Sequence, residues 1–92
     1  MKLEPGKNWY PLPPVGSLQG VIVDGRFMVE QVDLRDIVRL RQAYRTKFPG
    51  ADLRAFPTHV ALAPTLDRLE FFPCPDKAYE ARVRFFPPLQ EI

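Results

Sequence analysis

Leu69-Glu70-Phe71-Phe72-Pro73-Cys74-Pro75-Asp76-Lys77-Ala78-Tyr79-Glu80-Ala81-Arg82-Val83-Arg84-Phe85-Phe86-Pro87-Pro88 decides the fold. Two strand-like runs flank a Pro-x-Pro-Asp loop. The second run alternates, with Tyr79, Ala81, Val83 and Phe85 on one side and Glu80, Arg82, Arg84 and Phe86 on the other. A period of two marks a strand that buries one face and shows the other. Proline fixes φ and aspartate bonds its own backbone, so Pro73, Pro75 and Asp76 suit a turn. Pro87-Pro88 cannot feed a ladder and should end the strand.

Upstream, Pro57-Thr58-His59 leads into a short strand over Val60–Ala63. Pro64-Thr65-Leu66-Asp67 then turns the chain back into Arg68–Phe72. With Tyr79–Phe86 as third strand, this half reads as a three-stranded antiparallel β-meander. Near the start, Gln19–Val23 and Arg26–Val32 enclose Asp24-Gly25, a pair that tolerates the positive φ of a type I′ hairpin turn. Asp33 should cap a helix from Leu34 to about Phe48, stopped by Pro49-Gly50. Asp36 places negative charge near its positive end. Ile37, Leu40, Tyr44 and Phe48 form an apolar stripe, with Arg41 and Arg45 at its border beside Leu34 and Val38. Arg35, Arg39 and Lys47 fill much of the remainder, an arrangement that fits a solvated basic face as well as a surface for an acidic partner.

Residues 1–16, with Pro5, Pro11, Pro13 and Pro14, read as an extended arm anchored by Trp9 and Tyr10, docked on its own chain or on a neighbour. Residues 17–92 then form a single small α+β domain. The expected order is arm, β-hairpin, one amphipathic helix and C-terminal meander. The 92 residues include 11 prolines, more than twice the usual share of about 5%. So many breaks limit the core of one small domain, which favours a part that gains stability by docking on something else.

The charge balance, 13 basic against 11 acidic residues, gives a net charge of +2 and is too even to argue for nucleic acid by itself. One cysteine, Cys74, precludes an internal disulfide and fits a reducing compartment. No signal-peptide pattern is visible and no apolar run approaches the roughly 18 residues of a membrane span, so a soluble chain without membrane contact is expected. His59 is the only histidine, so the usual His/Cys metal centre cannot be assembled within one chain. Cys74 lies between two prolines with no adjacent base, Ser17 lacks a nucleophile-elbow pattern, and the glycines form no phosphate loop. No enzyme and no cofactor are expected.

The ordered run Pro57-Thr58-His59-Val60-Ala61, a turn, then Leu69–Phe86 resembles the C-terminal β-region of tailed-bacteriophage head–tail adaptor (neck) proteins. There a short strand precedes an apolar strand ending in Pro-x-Pro-Asp, and an alternating strand closes on paired aromatics. The likeness covers about a third of the chain. Those adaptors usually carry a helical bundle before this region, where this chain has one helix and a hairpin. The resemblance therefore implies a reduced adaptor, or another small neck or tail component. It would be a non-catalytic virion protein assembled in the host cytoplasm, forming a homo-oligomeric ring beneath a portal or among neck and tail proteins. Trp9, Tyr10, Arg41, Arg45, Tyr79, Arg82, Arg84 and Phe86 are the expected subunit-interface residues, and the helix arginines could meet packaged DNA. The alternative is a small nucleic-acid-binding module. In it Arg82, Arg84 and Phe86, with Phe71, Phe72 and Tyr79 close by, would stack bases and hold phosphates on a sheet face.

Overall fold

A computed structural model describes residues 1–13, 16–25, 27–50, 53–64 and 67–86. The expected stop at Pro87-Pro88, the turn at Thr65-Leu66 and the positions of Pro14 and Arg26 lie outside them. The chain is an α+β fold. Its elements are β1 (Trp9–Pro11), β2 (Ser17–Val23), β3 (Phe27–Met28), β4 (Glu30–Gln31), α1 (Leu34–Lys47), β5 (His59–Leu62), β6 (Arg68–Phe72) and β7 (Ala81–Phe86). They form two sheets, one ordered β1-β6-β5-β4 and one ordered β3-β2-β7.

The β5–β6 hairpin forms as expected, with Val60 opposite Phe71 and Leu62 opposite Leu69. The third strand of the expected meander goes elsewhere. β7 leaves β6 and pairs antiparallel with β2, setting Val21 opposite Val83 and Val23 opposite Ala81. The cause lies in the Pro-x-Pro loop. Pro73 and Pro75 are buried, so the loop is packed inside where the chain crosses to the second sheet.

The first hairpin also differs in detail. Asp24 and Gly25 adopt φ of 55° and 67°, as a primed turn requires. Val23 pairs with Phe27, however, so three residues separate the partners where a two-residue turn leaves two. Beyond it the expected single strand splits at Val29. Its N–H bonds Val21 in one sheet, while the next N–H, of Glu30, bonds Thr58 in the other. β4 then runs parallel to β5, and α1 makes the connection between them.

Pairing and burial give three layers. On one face of the first sheet, Tyr10, Val60, Leu69 and Phe71 pack with Val21, Val23 and Ala81 of the second sheet, closing the core with Leu3, Val29 and Tyr79. The opposite face carries Ala61, Glu70 and Phe72 and receives α1. Ile37 is fully buried there, and the buried small residues Ala61 and Ala63 let the helix approach. Asp33 serves as N-cap through its carbonyl, which accepts from Asp36 and Ile37, but its side chain makes no capping bond. Phe48, assigned to the apolar stripe, lies past the helix end and is half exposed against Tyr44.

The N-terminal segment is extended, as expected, and it docks on its own chain. Leu3 N–H bonds the Tyr79 carbonyl, Gly6 N–H bonds Pro75, and Phe71 N–H bonds Asn8. Leu3 and Tyr10 are core residues, so the arm is part of the body. The Tyr10 ring meets Phe71 edge-on at 5.6 Å. Its hydroxyl donates to the Lys7 carbonyl at 2.7 Å and accepts the Glu4 N–H at 2.8 Å. Burial, foremost, raises the pKa of this phenol above its ordinary value. Tyr10→Phe keeps the ring but leaves two backbone groups without their partner. It should lower stability by about 1–2 kcal/mol in equilibrium urea unfolding, and Tyr10→Ala by about 3–5 kcal/mol, near the limit a domain this small tolerates.

Candidate interaction surface

Among the described residues, nothing covers the outer face of the second sheet. β2 is central and β7 lies at the edge. Along β7, Ala81 and Val83 turn to the core, while Arg82 and Arg84 turn outward and are exposed. Ile22 stands across from Arg82, Gly20 across from Arg84, and Met28 across from Ile22. Met28 is 76% exposed. A Cβ added at Gly20 would meet nothing within 4 Å, so the surface beside Arg84 is open. Among the described residues, no carboxylate lies within ion-pair distance of either arginine.

The strand end departs from strict alternation. The register shifts between Leu18 and Gly20, which makes Gln19 the extra residue of a β-bulge. The Leu18 carbonyl beside this irregularity accepts from Gln31 Nε2 at 2.9 Å, a contact that joins the two sheets. Beyond the bulge Phe85, assigned to the buried side, is 40% exposed, and Phe86 is 55% exposed.

The eight expected interface residues do not converge. Arg82, Arg84 and Phe86 share β7. Trp9 lies on β1, half exposed, with the Lys7 ammonium 5.6 Å from its ring. Arg41 and Arg45 sit on α1, across the core from the β7 arginines. Arg41 is committed within the fold: its Nη2 lies 3.0 Å from Glu70 Oε1, the oxygen that also accepts from Asn8 Nδ2 at 3.2 Å. That buried Nη2 makes the ion pair without an aligned hydrogen bond. A pocket of about 170 Å³ opens beside it between Gly6, Asn8, Arg45, Leu53 and Cys74.

Tyr10 and Tyr79 are corrections. Both are almost wholly buried, because each closes the core beneath the N-terminal segment, and neither is placed to meet another subunit. Phe71 is a core residue and Phe72 lies on the helix side, so the aromatic residues expected near Arg82 and Arg84 are not on that face. His59 is engaged between Thr58 Oγ1 at 2.8 Å and Glu30 Oε2 at 3.2 Å. Among the described residues, no three His, Cys, Asp or Glu side chains gather as a metal site and no helix is long and apolar enough to cross a membrane. Comparison with protein-family models, curated proteins and solved structures finds no match to this chain.

Two features escaped sequence reasoning. The open position at Gly20 depends on which strand lies beside β7. The buried role of Tyr79 had a signal in the Asp-x-x-Tyr spacing, since the Tyr79 hydroxyl donates to Asp76 Oδ1 at 2.6 Å. Phe56 packs edge-on to the same ring at 5.0 Å.

The Asp76 hydrogen bond, and secondarily loss of solvent, pushes the Tyr79 phenol up to about 12. The folded state thus holds this proton more tightly than the unfolded chain, where the phenol titrates near about 10. Its stabilising contribution is fully present below pH ~10 and is lost as pH rises through ~12. Tyr79→Phe should cost about 1 kcal/mol at neutral pH and flatten the alkaline fall in urea-measured stability. Asp76→Asn should bring the last tyrosinate absorbance step back toward ~10, and an unchanged step would remove Asp76 as the cause.

Proposed function

We propose that this chain is a structural protein of a tailed-bacteriophage virion. In this reading it is a head–tail adaptor, neck or tail component that assembles into a ring through protein–protein contacts. One observation carries the reading. Within the run that resembles the adaptor β-region, Pro73, Pro75 and Tyr79 of the pattern are buried packing residues where the chain crosses from one sheet to the other. The end of that run, with Arg82, Arg84, Phe85 and Phe86, is left at an open sheet edge. Pro73, Pro75 and Tyr79 build the scaffold, and the exposed strand end stands where neighbours would meet it.

The surface supports the same reading. Trp9 on β1, Met28 on β3, Phe48 just past α1, and Phe85 and Phe86 on β7 are exposed. A ring subunit needs two different patches, because heterologous contacts close a ring only when one face of a protomer meets another face of the next. The β1 side with Trp9 and the β7 edge with Phe86 supply such a pair. Arg35, Arg39 and Arg45 on the helix are exposed and could face a DNA channel or an acidic neighbour. The virion, assembled in the host cytoplasm, is then the location.

Light scattering and negative-stain microscopy of the purified protein, alone and mixed with the portal protein of the same genome, test this. Assembly into a ring, or a stable complex with portal, is expected. Trp9→Ser combined with Phe86→Ser should shift the population to monomer while circular dichroism stays unchanged. A folded monomer that ignores portal, neck and tail proteins alike would overturn the proposal.

A further inference from the structure

Among the described residues, the outer edge of β7 holds main-chain groups with no partner. Ala81 uses its outward N–H and carbonyl on Met1, at 2.8 and 3.0 Å. Glu80 and Phe86 direct their carbonyls the other way, toward Asp24 and Gly16 on the β2 side. Strand groups alternate in direction, so the even-numbered residues bond β2 while Val83 and Phe85 point their N–H and carbonyl groups outward. Among the described residues nothing pairs with that edge. A groove of about 390 Å³ runs beside it, lined by Met1, Leu12, Glu80, Ala81, Arg82 and Val83.

We propose that this edge accepts an extended segment of a partner protein in which carboxylates and apolar residues alternate. The partner strand bonds Val83 and Phe85 through its main chain. Its carboxylates lie on the outer face beside Arg82 and Arg84, and its apolar residues turn inward against Leu12 and Val83. A second copy of β7 is a poor occupant. Two edges that match Val83 with Phe85 set Arg84 opposite Arg84, and those that match Val83 with itself set Arg82 opposite Arg84. Like charges directly opposed are destabilising, and charged residues on an edge strand are a known guard against self-pairing. Matching Phe85 with itself pairs only the strand tips. Nucleic acid is disfavoured because Phe71, Phe72 and Tyr79 are turned away from the arginine face. The proposal goes beyond the assembly reading and does not require a virion.

The probe is a blocked peptide of alternating glutamate and valine, with a lysine–valine peptide, an N-methylated glutamate–valine peptide and a single-stranded oligonucleotide as controls. Binding of the glutamate peptide to the full chain should slow amide exchange at Val83 and Phe85 and leave Arg82 and Arg84, already bonded to β2, unchanged. N-methylation should abolish the effect without altering the protein. Arg82→Glu with Arg84→Glu should weaken the glutamate peptide about tenfold and turn the preference to lysine. Equal binding of both peptides, absence of protection at Val83 and Phe85, or retention of the oligonucleotide alone would each overturn the proposal. Because the peptide assay reads the edge of the isolated chain, its failure leaves the ring experiment standing, and the reverse also holds.

Discussion

The fold depends on one constraint: main-chain bonds from the first twelve residues must tie together the two sheets that the proline loop separates. Leu3 binds the residues that open β7, Gly6 binds the loop at Pro75, and Trp9–Pro11 pairs with β6. No local pairing could replace this. β3 and β4 have two residues each, and β5 has four, too little for independent stability. Tyr10 turns that backbone strap into a core element. Its ring fills space against Phe71 while its hydroxyl holds the Glu4–Lys7 turn, so the arm gains an apolar anchor and a polar clasp from one side chain.

The first sheet sits between two layers, and its composition follows from that. A strand covered on both faces reads as a near-continuous apolar run, and Leu69-Glu70-Phe71-Phe72 is such a run with one interruption. Glu70 faces the helix, and Arg41 supplies its countercharge from α1. Desolvation of a carboxylate is costly unless it is paired, so this contact fixes which turn of the helix lies over β6. It also removes Arg41 from the pool of exposed cations. A basic helix face judged by periodicity alone therefore overstates the charge available to a partner.

Much of this was legible in the residues. Arg68–Phe72 has the expected bounds, α1 starts at the expected Leu34, and the Asp24-Gly25 turn takes the expected positive φ. Alternation correctly separated Ala81 and Val83 from Arg82 and Arg84. What alternation cannot encode is the identity of the neighbouring strand, since a period of two specifies faces and not partners. β7 was accordingly given to β6 when it belongs to β2. The same gap hid the surface around Gly20 and Ile22, which exists only because those residues lie beside Arg84 and Arg82. Tyr10 and Tyr79 stand among the expected interface residues, although Tyr79 shares its strand side with Ala81 and Val83 and Tyr10 could equally anchor the arm on its own chain. The backbone turn and the Asp76 carboxylate that satisfy their hydroxyls inside are tertiary facts.

In the proposed strand addition, the position of the arginines on β7 joins the fold to its use. An edge strand with free N–H and carbonyl groups invites any extended chain, including another copy of itself. Placing Arg82 and Arg84 on the solvent face makes the self-matched registers repulsive while leaving the main-chain groups of Val83 and Phe85 accessible. Main-chain pairing contributes affinity without sequence preference, and the side chains flanking it impose the preference. Discrimination thus comes from the repulsive arrangement as much as from the attractive one. Converting the same two positions to neutral threonine would keep the strand and its bonds but remove the discrimination. The chain's open edge would then be a liability where, in the proposed pairing, it is a selective surface.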